Sequence, residues 1–201
     1  MDTEPQPSYQ LSQWLLFGII GTVAAIFLHE VGHLIPALGL GATNIQIMPT
    51  AIEFDPLSVG ARDHVIIAVG GLVATLLLTL LAFWGVQRTD HPFYSILGIL
   101  SQLRGALVAI IYFLFLFLTG ENVFTVLGRN GNDEATIAYY SGISLTPIIL
   151  FSLIMMIIWW PYFWRRLYLQ NGWRGISYCL LGCIAGSLFY GTLSAFLSGS
   201  F

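Results

Sequence analysis

The sequence predicts an all-α integral membrane protein with about five transmembrane helices and a short β-hairpin after the first. Three observations predict it. Only 8% of the 201 residues are charged, against roughly a quarter in a soluble domain. The mean hydropathy is +0.81. Five apolar stretches each reach the ~20 residues that cross a bilayer. The basic residues are all arginine, and ten acids against seven arginines give a net charge of −3. This composition excludes a soluble globular enzyme, a disordered regulator and a basic nucleic-acid binder. The partner expected from composition is therefore the lipid bilayer. The length suits one membrane-embedded domain over 1–201.

The elements follow in order. Residues 1–10 read as a polar tail, with Asp2 and Glu4 where a signal peptide would carry basic residues. The first span runs from about Leu11 to Leu38. The loop Gly39–Asp63 alternates over Asn44–Met48 and Ala51–Asp55, around Pro49 and Thr50, which predicts two strands of a hairpin. The second span covers His64–Val86. The third lies within Tyr94–Phe124 and is interrupted by Arg104. A buried arginine is costly in lipid, so the favoured span is Gly105–Phe124, with Arg104 at the surface and Pro92–Leu103 interfacial. A span starting near Tyr94 would instead place Arg104 deep, where it needs a partner. Gly120–Gly142 is a second polar loop, in which Asn132 or Asp133 reads as the N-cap of a short helix ending at Gly142. Two more spans, Ile143–Trp164 and Ile176–Leu197, occupy the region 143–201. Between them, Trp159, Trp160, Tyr162, Trp164, Tyr168 and Trp173 surround Arg165, Arg166 and Arg174, an interfacial aromatic belt. Gly182 and Gly186, four apart, favour close packing of helices within the monomer. Cys179 and Cys183 share one helix face and read as small packing residues, too poorly disposed for a disulfide.

The chemistry sits in the first span, in His29-Glu30-Val31-Gly32-His33. Residues four apart share a helix face, so His29 and His33 can offer two imidazoles to one metal ion. Glu30 is turned about a third of a circle away, which suits a general base better than a ligand. Zinc would lower the pKa of water toward ~7, and Glu30 could take the proton and return it to the leaving amine. Pro36 removes a helical hydrogen bond to Gly32, so the helix is expected either to loosen beside the metal or to end early. A hydrolytic zinc site usually has three protein ligands. If all five segments cross, the loops after the first and third spans share a face. Asp133, Glu121, Glu134 and His64 then remain possible third ligands, while His91 falls on the other face.

The first motif resembles the zinc motif of the site-2 protease family of intramembrane metalloproteases. The family's second motif, a Gly-Pro-x-x-Asn pattern, is similar to Gly71-Leu72-Val73-Ala74-Thr75, with Leu72 at the proline and Thr75 at the asparagine. Its later Asp-Gly motif resembles Gly131-Asn132-Asp133, which here continues with Glu134. The resemblance covers a catalytic core of 11–142 and implies that Asp133 is the third ligand. It also implies one Zn2+ per chain and cleavage of a peptide bond in or near a transmembrane segment of a membrane-anchored substrate.

A substrate helix must unwind before water can reach its amides, and the hairpin could hold the unwound strand by strand addition. Thr75 could orient the substrate or steady an oxyanion. Orientation has two indications that oppose each other. Arg88, Arg165, Arg166 and Arg174, with Arg104 if superficial, outnumber Arg62 and Arg129 and place the N-terminus in the cytoplasm. The family resemblance implies a zinc nearer the cytosolic side. The principal expectation is a membrane zinc endopeptidase with Glu30 as base and His29, His33 and Asp133 as ligands. The alternatives are a non-catalytic scaffold or chaperone of the same architecture, and an ion or proton transporter.

Overall fold

A computed structural model describes residues 9–48, 51–120 and 132–197. Five helices in this set are long and apolar enough to cross a membrane. Helix α1 (Leu11–Gly39) leads into strands β1 (Gln46–Met48) and β2 (Ala51–Glu53), then a short 3-10 turn at Pro56–Ser58. Helix α2 (Ala61–Thr89) and helix α3 (Pro92–Thr119) follow. The short helix α4 (Asp133–Ser141) precedes α5 (Leu145–Leu197), which contains the last two spans.

α5 doubles back at Gly172, whose φ of +57° is open to glycine without strain. Its first half packs Phe163 over Gly98 of α3, and its second half lays Cys179 and Gly182 on Gly18 of α1. Gly21 of α1 in turn meets Ile96 and Leu100 of α3. Residues near 163 and 180 therefore lie at one level of the bundle, which a straight helix could not achieve. Trp173 folds back onto Trp164 and Tyr168 at the turn, and Asp90, between α2 and α3, pairs with Arg166 at 3.1 Å. The aromatic belt is partly structural: Trp160 donates to the backbone oxygen of Ile99 at 3.0 Å. The sulfurs of Cys179 and Cys183 lie 4.0 Å apart and unbridged.

The hairpin forms, shorter than the alternation suggested. Gln46 pairs with Glu53, Ile47 with Ile52 and Met48 with Ala51; Pro49 and Thr50 lie outside the described residues. Capping defines the other joints. His91 is the N-cap of α3, its Nδ1 accepting from Phe93 N–H, with Pro92 in the first turn. Asn132 caps α4 by accepting from Ala135 N–H at 2.7 Å, and Gly142 closes it with φ +73°.

The favoured reading of the third span is corrected. α3 is continuous from Pro92, and Arg104 lies near its middle, about 22 Å along the axis from Thr119. Two apolar clusters flank that level. One is built around Trp14, Ile96, Phe163 and Ile176, the other around Ala109, Tyr112, Leu145 and Ile149. Ionisable side chains are gathered between them. Pro36 neither ends nor interrupts α1, which stays helical to Gly39. The Gly32 carbonyl that Pro36 deprives of its partner lies against the backbone of Gly70, where α1 and α2 cross at two glycines.

The α1–α5 contact yields a test. A methyl added at Gly18 would overlap the Cys179 carbonyl oxygen, whereas one at Gly191 meets nothing within 4 Å. Gly18→Ala should lower stability by about 1–3 kcal/mol, read as a depressed thermal midpoint in detergent. Gly191→Ala should leave the midpoint unchanged or slightly raised.

Candidate metal centre

His29, Glu30 and His33 are all buried on α1, with residual exposures of 6, 8 and 8%. α4 brings Asp133 to them from the loop side of the bundle. Because Asn132 takes the helix cap, the Asp133 carboxylate is left free to face the histidines. His29 Nε2 lies 3.0 Å from Asp133 Oδ2, and His33 Nε2 lies 3.3 Å from Oδ1. The two Nε2 atoms are 3.2 Å apart.

The rings are fixed from behind. His33 Nδ1 sits 2.8 Å from the carbonyl oxygen of Ile67 on α2. A carbonyl only accepts, so Nδ1 carries the proton and Nε2 presents a lone pair. His29 Nδ1 is 2.9 Å from Thr75 Oγ1, also on α2. Thr75 is thus a partner of the His29 ring, and it also lines the cavity beside that ring. Gly71 lies one turn earlier, directly under both imidazoles, where any Cβ would strike His33 and His29. The Gly71 and Thr75 pattern therefore marks the floor of the histidine pair.

Two imidazole nitrogens and two carboxylate oxygens converging without a cation would repel. The donor set fits zinc. Ligands at ~2.0–2.2 Å in a tetrahedron stand about 3.3–3.6 Å apart; the two Nε2 atoms lie 3.2 Å apart, and each has a different Asp133 oxygen beside it, at 3.0 and 3.3 Å. Among the described residues this trio is the group of histidine and acid side chains whose ligand atoms could share one ion. Glu30 is within electrostatic reach of His33 and Asp133, and β2 packs against α1.

The other candidate ligands go elsewhere. His64 stacks on Tyr140 with centroids 4.3 Å apart and bonds the Pro56 carbonyl. Glu134 points into a neighbouring cavity and accepts from Ser152 at 3.3 Å. Glu121 and Gly131 lie outside the described residues. His91 is at the opposite end of the bundle, among Tyr9 and Phe17.

Arg104 is the residue that sequence reasoning misplaced. Its Nη1 donates to Asp133 Oδ2 and touches His29 Nε2. The signal was the arginine itself, since an ionisable group in a span implies a partner. Burial alone would raise the Asp133 carboxyl. The Arg104 guanidinium beside it outweighs burial and holds the group well below the usual carboxylate range. For Glu134 burial prevails, with the Asp133 charge adding to it, and pushes the carboxyl up. A cavity of about 50 Å³ adjoins His29, with Thr75, Ser101, Gln102, Arg104, Glu134 and Ser152 on its polar side and Leu72, Leu76, Phe151 and Met155 on its apolar side.

Two substitutions on α2 test this floor. Gly71→Ala should displace the imidazoles, and Thr75→Val should release the His29 ring. Each is expected to weaken zinc binding by about 10–100-fold while far-ultraviolet dichroism stays helical. Zinc affinity measured by chelator competition checks both.

No protein-family model, curated protein or solved structure matches the chain, so the site is read from its own residues.

Proposed function

We propose that this chain is a zinc-dependent membrane endopeptidase of site-2 protease type, hydrolysing a peptide bond in or near a transmembrane segment of a membrane-anchored protein. The observation that carries this reading is the meeting of His29, His33 and Asp133 with ligand atoms close enough to share one ion, next to a buried Glu30. Zinc held there would act as a Lewis acid on the scissile carbonyl and on water.

The chain's own residues do the rest. Ile67 and Thr75 hold both imidazoles with Nε2 forward. Glu30 takes a proton from the attacking water as its oxygen bonds the carbonyl carbon. It then delivers that proton to the amide nitrogen as the C–N bond breaks. The cavity beside His29 has room for a few water molecules and enough polar groups to hold them. β2 packs against α1, the helix that carries Glu30, so a substrate strand adding to the hairpin would run alongside that helix. A purely structural metal site has no need of Glu30, which weighs against the scaffold alternative.

The transporter alternative is favoured by one observation. α2, α3 and α4 contribute Thr75, Arg104 and Glu134 to the same interior site, as an ion path would require. Zinc content and cleavage together separate the readings. Purified wild type should carry about one zinc per chain, and His33→Ala should carry none. Glu30→Gln should keep the zinc yet cleave a co-expressed membrane substrate at least about 100-fold more slowly. Zinc-free, well-folded wild type would remove the peptidase reading, and undiminished cleavage by Glu30→Gln would remove Glu30 from the mechanism.

A further inference from the structure

We infer that Arg104 is an internal cation that competes with the metal ion for Asp133 and His29, and that Glu134 receives its guanidinium when the metal binds. The inference rests on the metal-centre part of the reading above and not on peptidase activity.

Three observations carry it. First, one nitrogen of Arg104 contacts Asp133 Oδ2 and His29 Nε2 together. Those are the ligand nitrogen of His29 and one of the two Asp133 oxygens that a zinc ion would use, so ion and guanidinium cannot both hold His29. Second, the arginine has somewhere to go. Its side chain is 44% exposed and is a wall of the cavity that also holds the Glu134 carboxylate. Glu134 follows Asp133 directly, is only 2% exposed, and receives one long bond, from Ser152 at 3.3 Å. Its remaining lone pairs suit a guanidinium fork. Third, Glu134 forms no ion pair among the described residues, so its carboxylate is free to take one.

The transfer is a side-chain rotation about a fixed α3 backbone. It keeps the Asp133 charge paired throughout, by Arg104 before metal entry and by the metal after it. A buried carboxylate stripped of any partner would be strongly destabilising. The arrangement lets the bundle fold before it is metallated, and it raises the metal concentration needed to fill the site.

Zinc affinity of the full chain in detergent micelles tests this, by chelator competition with Zn2+ and by the visible absorption of Co2+ in tetrahedral coordination. Removing the competitor with Arg104→Gln should tighten zinc binding by about 10–100-fold. Removing its refuge with Glu134→Gln should weaken binding by about tenfold. The double variant should behave as Arg104→Gln alone, because Glu134 acts only through the arginine. Unchanged or weaker binding by Arg104→Gln would overturn the inference and make the arginine a support for Asp133. If that variant does not fold, Glu134→Gln decides, and an affinity equal to wild type would overturn the inference. Zinc binding by wild type with no cleavage of any membrane substrate leaves the inference standing while the peptidase reading falls. Wild type that binds no zinc overturns both.

Discussion

Four hydrogen-bond acceptors meet between α1 and α4, inside a bundle whose interior is mostly apolar, and the rest of the molecule is arranged to make that tolerable. Two imidazole nitrogens and both oxygens of Asp133 lie within van der Waals reach of one another. In water such a cluster would be dispersed by hydration. In a membrane interior neither hydration nor high dielectric is available, so positive charge must be brought in. Arg104 supplies it from α3, and the donor cluster could also hold a metal ion. The polar partners farther out follow from the same constraint. Ile67 and Thr75 take up the outer ring nitrogens. Thr79, Ser101 and Gln102 satisfy each other between α2 and α3, with Thr79 Oγ1 2.8 Å from Ser101 and 2.6 Å from the Gln102 amide nitrogen.

Close helix packing is what lets α2 serve as the floor of this cluster. At the α1–α2 crossing, Gly32 and Gly70 face each other, and a methyl on Gly32 would come within 2.5 Å of the Gly70 carbonyl oxygen. Backbones brought this near place Gly71 under both imidazoles and bring Ile67 and Thr75 within hydrogen-bond reach. Larger residues would move α2 outward and lose these bonds together. Dispersion and Cα–H···O contacts at such a crossing take the place of the hydrophobic effect, which does not drive helices together in lipid. Gly18, Gly182 and Gly186 do the same between α1 and the second half of α5, so the small-residue pair is spent within the monomer.

The fold was legible because its signals are local. Five apolar runs, a period-two alternation before Asp55, an asparagine cap and a closing glycine each lie within one short window. Their readings agree with the helices, hairpin and α4 described above. The histidine pair was legible for the same reason, since i and i+4 share a face whatever surrounds them. Asp133 is a hundred residues from His33. Alternating topology narrowed the third ligand to one face but left Glu121, Glu134 and His64 beside it. Arg104 went wrong in an instructive way. The cost of a buried arginine was weighed for an isolated charge, which favours the surface. The partner that changes the balance is 29 residues away, on a helix whose own cap had to be assigned to Asn132 before Asp133 was free.

Pro36 shows how a disruptive residue is absorbed. It deprives the Gly32 carbonyl of a helical partner, yet α1 runs on to Gly39. The unpaired oxygen lies at the backbone of Gly70, and the proline ring packs there too, with its Cγ only 2.8 Å from where a Cβ of Gly70 would stand. A glycine is needed at position 70 for both contacts. The oxygen then gains a weak Cα–H···O interaction in place of the lost N–H bond. This crossing lies one residue from His33 and Gly71, so the break in the hydrogen-bond ladder falls beside the candidate metal donors rather than at the helix end. Pro36, Gly32, Gly70 and Gly71 thus form one mechanical unit: the proline frees a carbonyl, the glycines admit a second helix against it, and that helix holds the two imidazoles forward.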